Sequence, residues 1–314
     1  MAFDDMGCCC VITTDRLRRM LKPKSSIEVD SMLLAVGELR SHLNRVDPPT
    51  GIKEAEFKVF SQWNEDGILA YLTQAVPCPA RTFVEIGVQD YSESNTRFLA
   101  TSGNWSGICI DDGVAHVDFV RRQGLDWRYG VRAVSAFVTT DNINKLIRDG
   151  GPTGDIGLLS VDVDGQDYWL WEAVTEISPR IVVVEYNGVL GLEAAVTVPQ
   201  QDDFSYFEAH PSGIYFGASL PALVALGRQK GYRFVGCESH GANAFFVRDD
   251  VAGALPNLTA EQGFVESRFR TSRSDTGVLD FETDRRAKLR RISDLPLMDV
   301  TTGATSSVAS VYDV

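Results

Sequence analysis

The sequence predicts an α/β protein: a seven-stranded, mostly parallel sheet that ends in an antiparallel hairpin and carries helices on both faces. Three observations point there. Five short, almost continuously apolar runs alternate with helix-like stretches between residues 83 and 186, the pattern of strands buried on both faces of a parallel sheet. Two later runs, Tyr232–Glu238 and Ala244–Arg248, are separated only by Ser239-His240-Gly241-Ala242-Asn243. That link is too short for a crossover, so these two strands pair antiparallel. Finally, 314 residues, 44% hydrophobic and 23% charged, suit one soluble α/β domain with appendages.

Residues 1–24 carry Arg16, Arg18, Arg19, Lys22 and Lys24 and read as poorly ordered. Ser25 with Glu28 forms a capping-box signature. Behind it Val29, Met32, Val36, Leu39, Leu43 and Val46 alternate at spacings of three and four. They form one stripe of a helix that Pro48 and Pro49 stop. Such a stripe either packs on its own domain or makes a homodimer contact through the 29–46 helix. Next come a helix over Phe60–Ala75 and five strands: Phe83–Val88, Gly107–Asp112, Val131–Val138, Ile156–Asp164 and Ile181–Tyr186. Helices are expected between them near 94–102, 115–124, 141–149 and 167–176, and again at Ser219–Lys230 before the hairpin. The chain thus divides into an N-terminal tail and helix (1–50), a catalytic domain (51–250) and a C-terminal extension (251–314). In that extension Leu255, Leu258, Phe264 and Phe269 alternate with Arg268, Arg270 and Arg273, and the Thr/Ser-rich tail after Val300 reads as mobile.

Composition removes several function classes. A formal net charge of −13 opposes general nucleic-acid binding and an anionic membrane surface. No run of 18 apolar residues is present, and Asp4 and Asp5 break the layout of a secretory signal; a cytoplasmic location is expected. Cys8, Cys9 and Cys10 are adjacent, and Cys78, Cys109 and Cys237 are scattered, which is neither a disulfide framework nor a metal-finger spacing. Cys109 and Cys237 sit in strand-like runs as small hydrophobes.

Two constellations carry chemistry. Glu85 ends the first strand and Gly87 opens a tight turn towards a helix, where open parallel sheets bind ligands. Gly87 allows close backbone approach, and Asn95 is placed to cap the following helix. Asp111, at the tip of the second strand, has the spacing of a carboxylate that accepts ribose hydroxyls. The second constellation is Asp162, Asp164, Asp167, Glu185 and Asn187, at the neighbouring tips of the fourth and fifth strands. Hard oxygen donors at that density suit Mg²⁺ or a similar divalent cation, and without one they repel each other. His210 and His240 flank turns and are candidate general bases for a substrate hydroxyl. Tyr168, Trp169, Trp171 and Tyr215 are candidate pocket walls, and the long 187–218 connection is a candidate lid.

The runs FSQWNEDGILAYL, FVEIGVQDYSESNT, GICID, LLSVDVDGQDYW, IVVVEYN and FGASL, over residues 58–250, resemble the class I S-adenosylmethionine-dependent methyltransferases that include the FkbM-type enzymes. The resemblance implies a Rossmann-like seven-stranded methyltransferase sheet, with the last strand inserted antiparallel. It implies S-adenosylmethionine as cofactor, with Glu85, Gly87 and Asp111 on the cofactor side, and Asn95 and Asp162 are further cofactor-binding candidates. The VDVDG segment is also similar to metal-dependent sugar and macrolide O-methyltransferases, which makes Asp162, Asp164 and Glu185 the implied ligands of Mg²⁺. The expected activity is methyl transfer to a small-molecule hydroxyl, with Asp164, His210 and His240 as catalytic candidates. The glycine-rich loop of the family is reduced here to Glu85-x-Gly87, with Gln89 and Tyr91 where small residues are expected. Tyr91 is therefore expected to crowd the methionine end of the cofactor. Two other functions fit the same residues: a metal-assisted hydrolase or lyase acting on a small acidic molecule, and a non-catalytic subunit of this fold that binds a partner.

Overall fold

The structure, a computed structural model, describes residues 24–268, 272–274 and 276–314. The triple cysteine, Phe269 and Arg270 lie outside them. The first helix, α1 (Lys24–Val46), already contains Ser25 and Glu28. A short turn, α2 (Ile52–Ala55), and α3 (Glu65–Ala75) lead into the sheet. Phe60–Asn64, expected to be helical, is a loop. The buried Asp66 carboxylate accepts the N–H groups of Val59, Phe60 and Ser61 at 2.7, 2.7 and 2.8 Å, so those donors are satisfied without helix formation.

The strands are β1 (Thr82–Ile86), β2 (Ser106–Asp111), β3 (Val131–Ser135), β4 (Gly154–Val161), β5 (Ile177–Glu185), β6 (Val196–Thr197), β7 (Tyr232–Cys237), β8 (Asn243–Arg248), β9 (Pro296–Asp299) and β10 (Thr305–Ser307). The remaining helices are α4 (Arg97–Gly103), α5 (Val114–Arg122), α6 (Leu125–Tyr129), α7 (Ile143–Gly150), α8 (Asp167–Ala173), α9 (Tyr206–Ala209), α10 (Leu220–Gln229), α11 (Ala260–Gly263), α12 (Arg285–Arg291) and α13 (Val308–Tyr312).

The main sheet runs β3-β2-β1-β4-β5-β8-β7. The first five strands are parallel, β8 lies antiparallel between β5 and β7, and the hairpin closes the edge. Alternation sends neighbouring side chains to opposite faces. Phe245 thus joins Ile68, Leu69, Leu72 and Leu99 on one side, while Phe246 joins Ile147, Trp171, Leu223 and Leu226 on the other. Tyr168 and Trp171 belong to this core and Tyr215 to a smaller one. Trp169 donates its indole N–H to the Val198 carbonyl at 2.9 Å. None of the four lines the cleft described below.

A second, three-stranded sheet, β10-β9-β6, joins the 187–218 insert to the C-terminal residues. Its core holds Leu190, Val196, Ile214, Leu289, Leu297 and Val308. The tail expected to be mobile is folded: Val308 is fully buried and Tyr312 donates its hydroxyl to the Leu190 carbonyl at 2.6 Å.

Helix α1 attaches to the domain by an unexpected face. Leu34, Gly37, Ser41 and Asn44 turn inward. Asn44 donates to the Ala55 carbonyl at 3.1 Å, and Asp30 lies 3.7 Å from the Arg97 guanidinium. Arg97 in turn stacks on Phe60 and donates to the carbonyls of Tyr91 and Ser92 at 3.2 and 3.3 Å.

Candidate active site

In an open α/β sheet the ligand cleft forms where strand order reverses, outside the carboxyl ends of the strands. Here the reversal lies between β1 and β4, and above it opens a cleft of about 1040 Å³. It is lined by the tips of β1 to β5, the 187–218 insert, and Ser272, Arg273 and Lys288 from the C-terminal part.

The loop after β1 is built around Glu85. Its buried carboxylate accepts Ser94 Oγ and Asn95 N at 2.7 Å, Thr96 N at 3.2 Å and the Thr96 hydroxyl. Burial pushes its pKa up, against the pull of these donors. Glu85 thus lines the cleft but spends its hydrogen-bonding capacity holding the loop. Gly87, at φ +80°, passes so close to β4 that an added Cβ would stand 1.5 Å from the Asp162 carbonyl oxygen. Gln89 and Tyr91 also adopt positive φ, at 47° and 62°. Such backbone persists in L-residues only where the surroundings enforce it.

That conformation turns Tyr91 away from the cleft. Its ring is buried between sheet and helices, and its hydroxyl lies 2.7 Å from Thr96 Oγ1. Tyr91 is not among the residues that line the cleft. Asn95 does not cap α4, whose N-cap is Thr96. It reaches across to Ser160 on β4 at 3.0 Å. Asp111 stands at the tip of β2 and accepts Gln89 N at 2.6 Å and Gly113 N at 2.9 Å, with His116 Nδ1 3.4 Å away.

The acids after β4 and β5 converge. Asp162, Asp164 and Glu185 each place a carboxylate oxygen within 4.8 Å of the others. Asp164 is the exposed member and sits at φ 55°. Glu185 Oε2 is buried without a hydrogen-bond partner. Burial, and then the charges of neighbouring carboxylates, push Asp162 and Glu185 well above the usual carboxylate range. Asp167 accepts the N–H groups of Val163 and Gly165 at 2.7 and 2.9 Å, yet burial still carries it to about 7. Behind them Glu65 is pushed up to about 6 by burial, although Asn243 donates to it at 2.9 Å. So many acids brought together at one end of the cleft are stable as neutral carboxyls or around a cation. The buried, unpartnered oxygen and the all-oxygen donor set both fit a hard divalent ion.

Neither candidate histidine lines the cleft. His210 Nδ1 lies 2.7 Å from Ser212 Oγ and orders its own turn. His240 stacks on Trp63 with ring centroids 4.2 Å apart, its Nδ1 3.5 Å from Glu238. His116 does line it, as do Tyr206, Phe207 and Arg273. Sequence reading placed Tyr206 and Phe207 only within the candidate lid and Arg273 only in the C-terminal extension, and it gave His116 no role, because none of them stands in a spacing signal.

The order β3-β2-β1-β4-β5-β8-β7, with only the last-formed strand inserted antiparallel beside β5, defines the fold of the class I methyltransferases. No protein-family model matches the chain, and no curated protein matches it in sequence. Solved structures similar to it include the N-terminal domain of EvdMO1 with SAH bound (13% identity, TM-score 0.39, 67% of this chain and 94% of that one). Another is an S-adenosylmethionine-dependent methyltransferase from Clostridium acetobutylicum ATCC 824 (8%, 0.37, 59% and 90%). A third is the O-methyltransferase NcsB1 of neocarzinostatin biosynthesis, in complex with S-adenosylmethionine and 2-hydroxy-5-methyl naphthoic acid (16%, 0.34, 68% and 56%).

Proposed function

We propose that the protein transfers a methyl group from S-adenosylmethionine to a hydroxyl of a small acceptor, assisted by a divalent cation held by Asp162, Asp164 and Glu185. The observation that carries this reading is the convergence of those three carboxylates, one oxygen of them buried and unpartnered, in the ligand cleft of a methyltransferase fold. The VDVDG and FVEIG segments support kinship with FkbM-type enzymes.

The sulfonium supplies an already activated methyl group, and a bound cation lowers the acceptor hydroxyl's pKa. The protein's own work is positioning. Gly87 and the loop braced by Glu85 offer close backbone approach on the cofactor side. Asp111 and Asp112 border that side at the tip of β2, where ribose hydroxyls would be read. Asp164, the exposed member of the cluster, is the group proposed to take the acceptor proton. Tyr206, whose hydroxyl is pushed up to about 12 by burial and then by the charge of Asp164, stays protonated and donates towards the acceptor. Arg273 and Lys288 line the same cleft and suit an acceptor carrying negative charge.

Isothermal titration with S-adenosylmethionine and S-adenosylhomocysteine tests the cofactor. Saturable binding of both is expected, and heats indistinguishable from dilution at millimolar ligand would overturn the reading.

A further inference from the structure

The stripe that the sequence marks on α1 faces water. Val29, Met32, Val36, Leu39, Leu43 and Val46 are 50, 68, 58, 57, 46 and 69% exposed. Their 3-4-3-4-3 spacing is a strict heptad seam of a and d positions, narrower than the apolar face of a domain-packed helix. The inward residues Leu34, Gly37, Ser41 and Asn44 occupy the b and f positions of the same heptads, opposite the seam. The domain therefore grips the polar and small face and presents the seam outward.

We infer that the 29–46 seam pairs with the same seam of a second copy, forming a two-stranded parallel coiled coil at the centre of a homodimer. The first two heptads place Val29 and Val36 at a with Met32 and Leu39 at d, the choice that favours two parallel strands, while Leu43 at a and Val46 at d reverse it in the third. In that register His42 at g stands across from the residue just past the end of the second copy's helix. The stripe is about 26 Å long at 1.5 Å per residue. Pairing would remove on the order of 1,000 Å² of largely apolar surface in total, the size at which specific interfaces begin. Because α1 is already held by Asn44, Asp30 and Leu34, little ordering entropy remains to be lost on association.

Light scattering on the full-length protein at micromolar loading tests this. The expected mass is twice the 34.5 kDa of the chain. Leu39→Glu is expected to weaken pairing at least tenfold and give the single-chain mass, with an unchanged circular dichroism spectrum because the side chain touches no core. Leu39→Met, which keeps an apolar knob, should remain a dimer; Val36→Lys serves as the disrupting variant if Leu39→Glu does not fold. A wild-type protein that is monomeric at every loading overturns the inference, whatever covers the seam. So does a dimer that survives both charged substitutions.

Discussion

Glu185 presents a buried carboxylate oxygen with no donor facing it. A side chain in that state marks either a protonated acid or a ligand awaiting its ion. Glu185→Gln keeps the shape and removes the charge. It is expected to weaken Mg²⁺ or Mn²⁺ binding about tenfold or more, as read by calorimetry, while leaving the melting temperature of the metal-free protein nearly unchanged. The acids behind it give a pH signature. Glu65 and Asp167, at about 6 and about 7, hold protons in the folded chain that the unfolded chain has already lost. Their contribution is complete below the unfolded carboxylate range and disappears as pH rises through 6 and 7. For Glu65 alone this amounts to about 2 kcal/mol. The metal-free protein should therefore melt lower as pH rises through that window, and added Mg²⁺ should flatten the trend. A melting temperature independent of pH in chelator would show that these carboxyls are not raised.

Among the elements, the β1 loop and the approach to α3 carry the sharpest sequence constraints. Gly87→Ala would force its Cβ into the Asp162 carbonyl and a φ of +80° onto an L-residue. A cost of roughly 3 kcal/mol or more is expected, visible in chemical denaturation together with loss of cofactor binding. Asp66→Ala would strand three backbone donors in a loop that replaces the first turn of a helix. The same assay should show a loss of about 3 kcal/mol. These positions also show where sequence reading stops. The five parallel strands were legible because each is an apolar run with turn residues at both ends, and Asp162, Asp164 and Glu185 because strand ends can be located to within a residue or two. Asn95 and Tyr91 were not, because a side chain's direction in a loop depends on φ values that no spacing encodes. The Phe60–Asn64 loop carries a helix-like pattern, and only the three-dimensional position of Asp66 breaks it.

For the molecule as a whole, the C-terminal residues are structural. Composition suggested a loose tail after Val300, yet a few apolar residues suffice to anchor it because the insert supplies the other half of their core. Val308→Ala is expected to cost about 2 kcal/mol, and heat should unfold the three-stranded sheet and the Lys288 side of the cleft first, as followed by hydrogen exchange. The seam on α1 was legible as a helix, whereas the face it shows could be read only once the domain had claimed the other one.

Arg97 gives that arrangement a mechanical meaning. Its guanidinium lies 3.7 Å from Asp30 on α1 and donates to the backbone carbonyls of Tyr91 and Ser92 in the loop after β1. If α1 pairs as inferred and the loop after β1 holds the cofactor as proposed, Arg97 connects the two. Where pairing tightens the Asp30–Arg97 contact, S-adenosylhomocysteine should bind more weakly as the protein is diluted below its pairing constant. Arg97→Gln should uncouple the two and leave one affinity at every dilution.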